Sequence, residues 1–459
     1  MELFFQSGTA ACGRESDGVR NRVWNGRIFG VGMGFDRIAR ALGIQEDQLA
    51  RALPFFGVYT LLFVALTMAD AIAVTLLASR IGASALPQWY SLTAIANLVL
   101  IGAYLTRAAR TDSGLVFGWI LGTVATLWML AWAAAQLHDG IIPLGMLFVT
   151  REVALTMILM HFGTFLQDYF VRNELNRILP VIYAGGRVGG ILGGIVVGSL
   201  APRWGTVNLV LITVALVLVA WVAVQRIYRT TAHRDEPDDP PLACPSSGDP
   251  APSRITSTRR FLYQVGTVPL LGWLTISTLC FVGCRWFMAY QYTAYFEVHF
   301  QDEAELAVFL GRYTQVALGI SLLLQLFLVN RLVGWLGVST THLLYSLAMM
   351  GGLLGNALAA GLPMAVASRF IEAELRFGLR NPVHQMMANR FGRSMRILIR
   401  GWTLGLLIPI GTLIASAAIA SLLKLSGAAA VGIVGTLLGL AYVLAAVYVG
   451  RAYQQHREP

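Results

Sequence analysis

Charge is scarce in this chain, and lysine is almost missing. Only 13% of its 459 residues are Asp, Glu, Lys or Arg, against 56% hydrophobic residues and a mean hydropathy of +0.64. A soluble domain of this length carries about twice that share of charge, roughly 25%, so the composition excludes one. Lys424 is the single lysine among 34 basic residues, a bias expected of a GC-rich bacterial genome. The four cysteines do not make a disulfide framework. Cys12 and Cys244 fall in polar segments expected to face a reducing cytoplasm. Cys280 and Cys284 stand i,i+4 on an apolar helix and read as small packing residues, with a metal or redox pair as the alternative. Residues 1–32 have no apolar h-region and are not read as a secretory signal. The run from Gly30 to Gly34 mimics a dinucleotide fingerprint but follows no strand, and Gly185–Gly190 lacks the Gly-Lys-Ser/Thr ending of a phosphate loop. With no metal-ligand cluster and no nucleophile–base arrangement, the expectation is a non-enzyme without metal or cofactor.

What the chain has in abundance is long apolar runs. Twelve cover about 53–79, 88–106, 115–137, 142–168, 179–200 and 206–225, then 265–297, 304–330, 336–360, 362–380, 401–423 and 428–450. Most exceed the roughly 20 residues that carry a helix across a ~30 Å hydrocarbon core. Backbone polar groups have no partner in lipid except one another, so these runs are expected to be helices. The fold class implied is an all-α membrane protein of twelve transmembrane helices. Its expected divisions are an N-terminal segment 1–52 with one or two amphipathic helices over 35–51, a six-helix bundle 53–226, a linker 227–262, a second six-helix bundle 263–453 and a tail 454–459. The linker carries six prolines between Pro237 and Pro252 and an acidic patch at 235–239, too polar to fold alone.

Arginine placement sets the expected orientation. With a cytoplasmic N-terminus, the cytoplasmic segments hold 26 basic residues and the outer loops hold three, Arg80, Arg203 and Lys424. Arg151, Arg187, Arg285, Arg312 and Arg369 fall inside spans. The net charge of +10 therefore reads as membrane topology, with the lipid bilayer as the partner, and not as nucleic-acid binding. The implied location is a bacterial cytoplasmic membrane, crossed many times, with both termini inside. The basic loop Arg390, Arg393, Arg396 and Arg400 reads first as anchoring against anionic lipid.

Charges inside a membrane are costly and default to function. The first span carries Asp70; the fourth Arg151, Glu152 and, near its end, Asp168; the seventh Arg285; the tenth Arg369, Glu372, Glu374 and Arg376. Arg187 lies in the fifth and Arg312 in the eighth, while the third, sixth, ninth and twelfth have no charge in their apolar cores. At 1.5 Å per residue, Arg151 and Glu152 lie ~13 Å below the outer surface, Arg312 ~12 Å and Arg369 ~10 Å. Asp70 and Arg285 lie ~25 Å or more from the cytoplasmic surface, so these six groups are expected to share one layer. Two readings stand. In one, the charges pair off, Arg151 with Asp70 and Arg369 with Glu372, and brace or gate the bundle. In the other, four arginines against two carboxylates leave a surplus that binds an anionic small molecule through Arg151, Arg369, Arg285, Arg312, Asp70 and Glu152. Glu372, Glu374, Arg376, Arg187, Asp168 and His161 are then candidates for coupling or gating, with a proton or a counter-substrate as coupling partner. Glycines at 186, 190, 194 and 198, beside a second column at 185, 189 and 193, predict close packing of the fifth helix.

A charged first, fourth, seventh and tenth helix resembles the plan of the major facilitator superfamily. Four stretches resemble its ATP:ADP antiporter (nucleotide translocase) branch: Ala69-Asp70-Ala71 with Gly82–Pro87; Arg177-Ile178-Leu179-Pro180 leading into the glycine-rich helix; Asp302–Gly311 with Leu322–Gln325; and Glu374–Arg380. Together they span about residues 55–420. The resemblance implies a major facilitator fold of two six-helix bundles, alternating access, and exchange of ATP for ADP in its best-known members. Those members rely on membrane lysines, where this chain has arginines. The expected function is a secondary transporter of an anionic, nucleotide-like or phosphorylated solute. The alternative is a non-transporting or lipid-handling membrane subunit that docks a partner protein.

Overall fold

The computed structural model describes residues 46–455 apart from 109–110, 138–139, 171, 232–253, 326–328, 360 and 392. Every regular element among the described residues is helical, as the demand for internal pairing in lipid requires. The first six rods are α1 Glu46–Leu76, α2 Leu86–Ala108, α3 Ser113–Leu137, α4 Ile141–Gln167, α5 Arg172–Trp204 and α6 Leu209–Thr230. The second six are α7 Pro269–His299, α8 Glu303–Leu323, α9 Val329–Leu358, a composite α10, a composite α11 and α12 Gly427–Gln455. Helix α10 runs Leu362–Phe370, then a π-helical stretch Ile371–Arg380, then Asn381–Ala388. Helix α11 runs Arg393–Arg400, a π-helical stretch Gly401–Leu407, then Ile408–Leu425. Wide helical turns of this kind are rare and concentrate at functional sites; the one in α10 holds Glu372, Glu374, Arg376 and Arg380.

Among the described residues, ten of these rods are individually long and apolar enough to cross a membrane. Of the other two, α10 carries the densest set of charges. Of the expected amphipathic segment 35–51, residues 35–45 lie outside the described residues, and the remainder is the first turns of α1, which continues through Pro54. Most of the expected linker also lies outside them. Its end does not: a helix Arg254–Thr267 starts inside that interval, and Phe261 from it is buried against Trp402, ring centroids 5.9 Å apart.

Burial sorts the rods into inner and outer positions. In their most apolar stretches α1, α4 and α7 bury 78%, 61% and 61% of residues, against 44%, 39%, 28% and 39% for α3, α6, α9 and α12. The outer four present exposed apolar side chains such as Trp119, Val219, Leu347 and Leu437, which is the surface a hydrocarbon solvent selects. Three of the charged helices, α1, α4 and α7, are thus the most buried of these rods.

The two glycine columns of α5 serve two different neighbours. A Cβ at Gly189 would stand 2.3 Å from the Thr60 carbonyl oxygen, and one at Gly193 2.8 Å from that of Val64, so this column lies on the α1 backbone within its own half. A Cβ at Gly194 would stand 2.7 Å from the Gly311 carbonyl oxygen, and one at Gly311 2.6 Å from the Gly198 amide nitrogen, so Gly190, Gly194 and Gly198 of the other column lie on α8 of the second half, while Gly186 meets Tyr59 of α1. Helix α5 is therefore sandwiched, backbone to backbone, between the halves. In lipid this close approach supplies the van der Waals contact that water-driven burial supplies in soluble proteins.

Substituting Gly189→Val should overpack the α1–α5 seam and cost about 1–3 kcal/mol. A lowered thermal midpoint in detergent checks this, with Gly102→Ala, which has open space around it, as the unaffected control.

Candidate functional site

The charged residues of the central helices meet in one line. Arg369 Nη2 donates to Asp70 Oδ2 at 2.9 Å, and Arg151 Nη1 reaches Asp70 Oδ1 at 2.6 Å. Arg151 Nη1 also donates to Glu152 Oε1 at 3.0 Å, and Arg285 Nη2 donates to the same oxygen at 3.2 Å. Arg285 Nε then donates to Glu372 Oε1 at 2.8 Å, which also accepts from Arg376 Nη1 at 3.1 Å. The order is Arg369, Asp70, Arg151, Glu152, Arg285, Glu372, Arg376: seven charges of strictly alternating sign, arginine at both ends. Alternation is what allows so many charges to leave water. Each interior member has an opposite charge on both sides, which offsets a desolvation cost of several kcal/mol per ion.

The line passes between the halves twice, at Asp70–Arg369 and at Glu152–Arg285. A separate pair, Arg187 on α5 with Glu374 on α10, crosses at 2.7 Å. The ring faces of Phe148, Trp286 and Phe377 lie 4.4–4.8 Å from the guanidinium carbons of Arg151, Arg285 and Arg376. Arg369 lies 5.5 Å from both Tyr292 and Tyr313. Each arginine in the line thus has an aromatic face as a substitute for part of its hydration. Tyr292 also donates its hydroxyl to Glu372 Oε2 at 3.4 Å.

All seven members of the line are sequence candidates: five from the expected substrate set, with Glu372 and Arg376 from the expected gate. Two expectations change. Arg369 pairs with Asp70 and not with Glu372, because α10 widens into its π-helical stretch at Ile371 and the i,i+3 neighbourhood of a regular α-helix does not carry through. Arg312 stands apart: it is exposed, on the same face of α8 as the exposed Val316 and Ile320, where a long side chain reaches along the apolar surface towards a polar boundary.

His161 and Asp168 are also elsewhere. His161 Nε2 donates to the Ser113 carbonyl at 2.7 Å and Nδ1 accepts from the Tyr104 hydroxyl at 3.0 Å, so its ring is used up inside α2–α4. Asp168 accepts from the Ser113 hydroxyl of the same cluster.

At the end of α1 the halves are latched by residues the sequence did not single out as a site. Arg80 Nε donates to Glu303 Oε2 at 2.6 Å, and the Ala83 amide donates to Glu297 Oε2 at 2.6 Å. Gly82, at φ 90°, makes the turn that presents this amide, and a Cβ there would stand 2.9 Å from Glu297 Oε1. Ser416 on α11 donates to the Pro87 carbonyl and lies 2.6 Å from the Ser91 hydroxyl. Tyr90 packs at a tilt against Trp286, ring centroids 4.1 Å apart. The only available signals were the register of Tyr292, two turns from Arg285, and the acidic ends of α7 and α8.

No family model matches the chain, and no curated protein matches it in sequence. Solved structures do match in shape. A mutant of the nucleoside transporter NupG superposes with a TM-score of 0.59 at 13% identity, covering 88% of this chain and 99% of that one. The peptide transporter PepTSo of the POT family gives 0.57 at 11%, covering 88% and 98%. A bacterial homologue of the human lysosomal transporter Spinster, in an inward-facing and unoccupied conformation, gives 0.55 at 15%, covering 89% and 98%. The chain has the major facilitator fold, two six-helix bundles with the charged helices at the centre, and is a multi-pass membrane protein.

Removing one interior charge should expose the coupling in the line. Glu152→Gln leaves Arg151 and Arg285 short of an acceptor and should cost about 3–5 kcal/mol. In the double variant with Arg285→Gln much of that loss should return. Unfolding of the four species of this cycle measures the coupling directly.

Proposed function

We propose that this protein is a secondary active transporter of an anionic solute, working by alternating access, and that Asp70 is an internal stand-in for the substrate's acidic group. The observation that carries this is the sharing of one carboxylate by two arginines from opposite halves, Arg151 on α4 and Arg369 on α10. Asp70 is also the accessible member of the line, its side chain 35% exposed against 6–15% for the other six. The line holds four arginines and three carboxylates, a surplus of one positive charge. Among the described residues the Nε–H groups of Arg151 and Arg369, the two neighbours of Asp70, are buried without an acceptor. Spare donors beside an exchangeable carboxylate favour an incoming phosphate or carboxylate, and the planar guanidinium fork is suited to bidentate contact with either.

An anion entering between Arg151 and Arg369 releases Asp70 and takes over the bond between the halves. The resemblance to the ATP:ADP antiporters makes nucleotides and other phosphorylated solutes the first class to test. Glu372, Glu374, Arg376 and Arg187 serve as the gate: Arg187–Glu374 links the halves, and Glu372, bonded to Arg376, holds the Arg285 that reaches across to Glu152. With the arginine-rich side cytoplasmic, the latch at Arg80, Ala83 and Glu297 closes the outer face of a bacterial inner membrane.

Transport into proteoliposomes by the purified protein tests this. Phosphorylated or carboxylated solutes should move and compete with one another. Arg151→Lys and Arg369→Lys should each weaken binding by about tenfold or more, the loss of one charge-assisted contact, and either Gln variant should abolish transport. Asp70→Asn should bind the solute more tightly than the wild type, its internal competitor being gone, and yet cycle poorly. A neutral or cationic solute as the transported species, or normal transport by both Gln variants, overturns the reading, as does a protein that moves nothing and co-purifies with another polypeptide.

Orientation has its own test. In a variant whose only cysteine is Cys244, an impermeant thiol reagent should label inverted vesicles and spare intact cells with a permeabilised outer membrane.

A further inference from the structure

Inside the second half, away from the charge line, lies a buried guanidinium without a carboxylate. Arg380 is 6% exposed, yet among the described residues no Asp or Glu lies within ion-pair distance of it. Its side-chain partners are the Asn381 carbonyl oxygen, at 3.4 Å from Nη1, and the Tyr442 hydroxyl. The guanidinium carbon sits 3.7 Å above the Phe281 ring. Around that ring stand Tyr345 and Tyr442, each 6.2 Å from it by centroid and 6.4 Å from one another. His342 lies edge-on to Tyr442 at 5.9 Å. The cluster draws on α7, α9, α10 and α12 and so belongs wholly to one bundle.

Among the described residues three buried polar atoms of this cluster lack a partner: Arg380 Nε, Tyr345 Oη and His342 Nδ1. All three can donate. Arg380 Nε–H and the Tyr345 hydroxyl do so by nature, and His342 Nδ1 carries the proton when its Nε2 accepts from the Ser277 hydroxyl 3.0 Å away. The Tyr442 hydroxyl accepts from Arg380 and keeps its own proton to donate. A buried cation with no counter-charge is among the most costly arrangements in a membrane protein, and orphaned donors around it each add a desolvation penalty. A water molecule can accept from such donors but leaves the charge unmatched. One ligand answers both deficits: a small, singly charged species that only accepts hydrogen bonds.

We propose that this cluster binds a halide, chloride in the cell, as the missing counter-ion of Arg380, and that the ion holds α7, α9, α10 and α12 together as a unit. The site is separate from the Arg151–Arg369 pair and stands whether or not that pair binds substrate. Its place just beyond Glu372, Glu374 and Arg376 on the same π-helical stretch ties the ion to the shape of the helix that carries the gate.

The test is thermal unfolding of the purified full-length protein in sodium chloride and in sodium gluconate at equal ionic strength. The wild type should melt higher in chloride, by at least about 2 °C, with a saturable dependence on concentration that bromide reproduces. Arg380→Met, which removes the charge and keeps an apolar stem over Phe281, should melt equally in both salts, at or above the wild type in gluconate. Tyr442→Phe should fold and show a weakened chloride response. Equal melting of the wild type in the two salts overturns the proposal, and so does a chloride response that survives Arg380→Met.

Discussion

Everything central in this molecule depends on the alternation of sign along one line of seven charges. A lone ion in a low-dielectric interior is prohibitive, and a lone pair is weak support once desolvation is counted. Extending the pair into a chain changes the balance, because each interior group is attracted from both sides while its own desolvation is suffered once. The chain can exist only if α1, α4, α7 and α10 hold their registers together, so the same interaction that solvates the charges also fixes the four inner helices. Arginine suits the task better than lysine would: a fork can donate to two carboxylates at once, and its flat face lies against aromatic rings.

The line is also what makes the halves separable. Within a half, contact is extensive and often backbone to backbone, as along the α1–α5 glycine column. Between the halves, the polar contacts among the described residues are few: Asp70–Arg369, Glu152–Arg285, Arg187–Glu374, the latch around Glu297 and Glu303, and Ser416 with Pro87 and Ser91. Such bonds are exchangeable: an anionic ligand can replace a carboxylate with little net change in charge, whereas a packed apolar seam must be torn open. On the transport reading proposed above, the glycines where α5 meets α8 offer a smooth surface on which one half would move over the other once those bonds are released.

The π-helical stretch of α10 brings these properties together. Its wide turns place Glu372 towards Arg285 and Arg376, Glu374 towards Arg187, and Arg380 into the interior of its own bundle. Three different environments thus arise within nine residues of one helix. Local unwinding of this kind has a cost in hydrogen-bond geometry, and its position amid the charges explains why the chain keeps it.

The sequence by itself determined the number of spanning helices, their near-limits and which of them are central, because the need to pair backbone groups in lipid and the cost of burying charge act on composition alone. It also showed that α5 must pack closely, since glycine at every fourth position has few other uses in a span. Register and partner were decided only in three dimensions. That Arg369 reaches Asp70 across the molecule and not Glu372 beside it depends on where α10 departs from α-helical geometry, and no residue pattern around Ile371 announces that. That Arg312 lies outside the line while Arg376 lies within it depends on a rotation of each helix about its axis, which is set by packing against neighbours distant in the chain. The glycine columns likewise show no partner until α1 and α8 are laid against them. Hydrophobicity is a property of segments and could be read from the chain; ion pairing is a property of distances and could not.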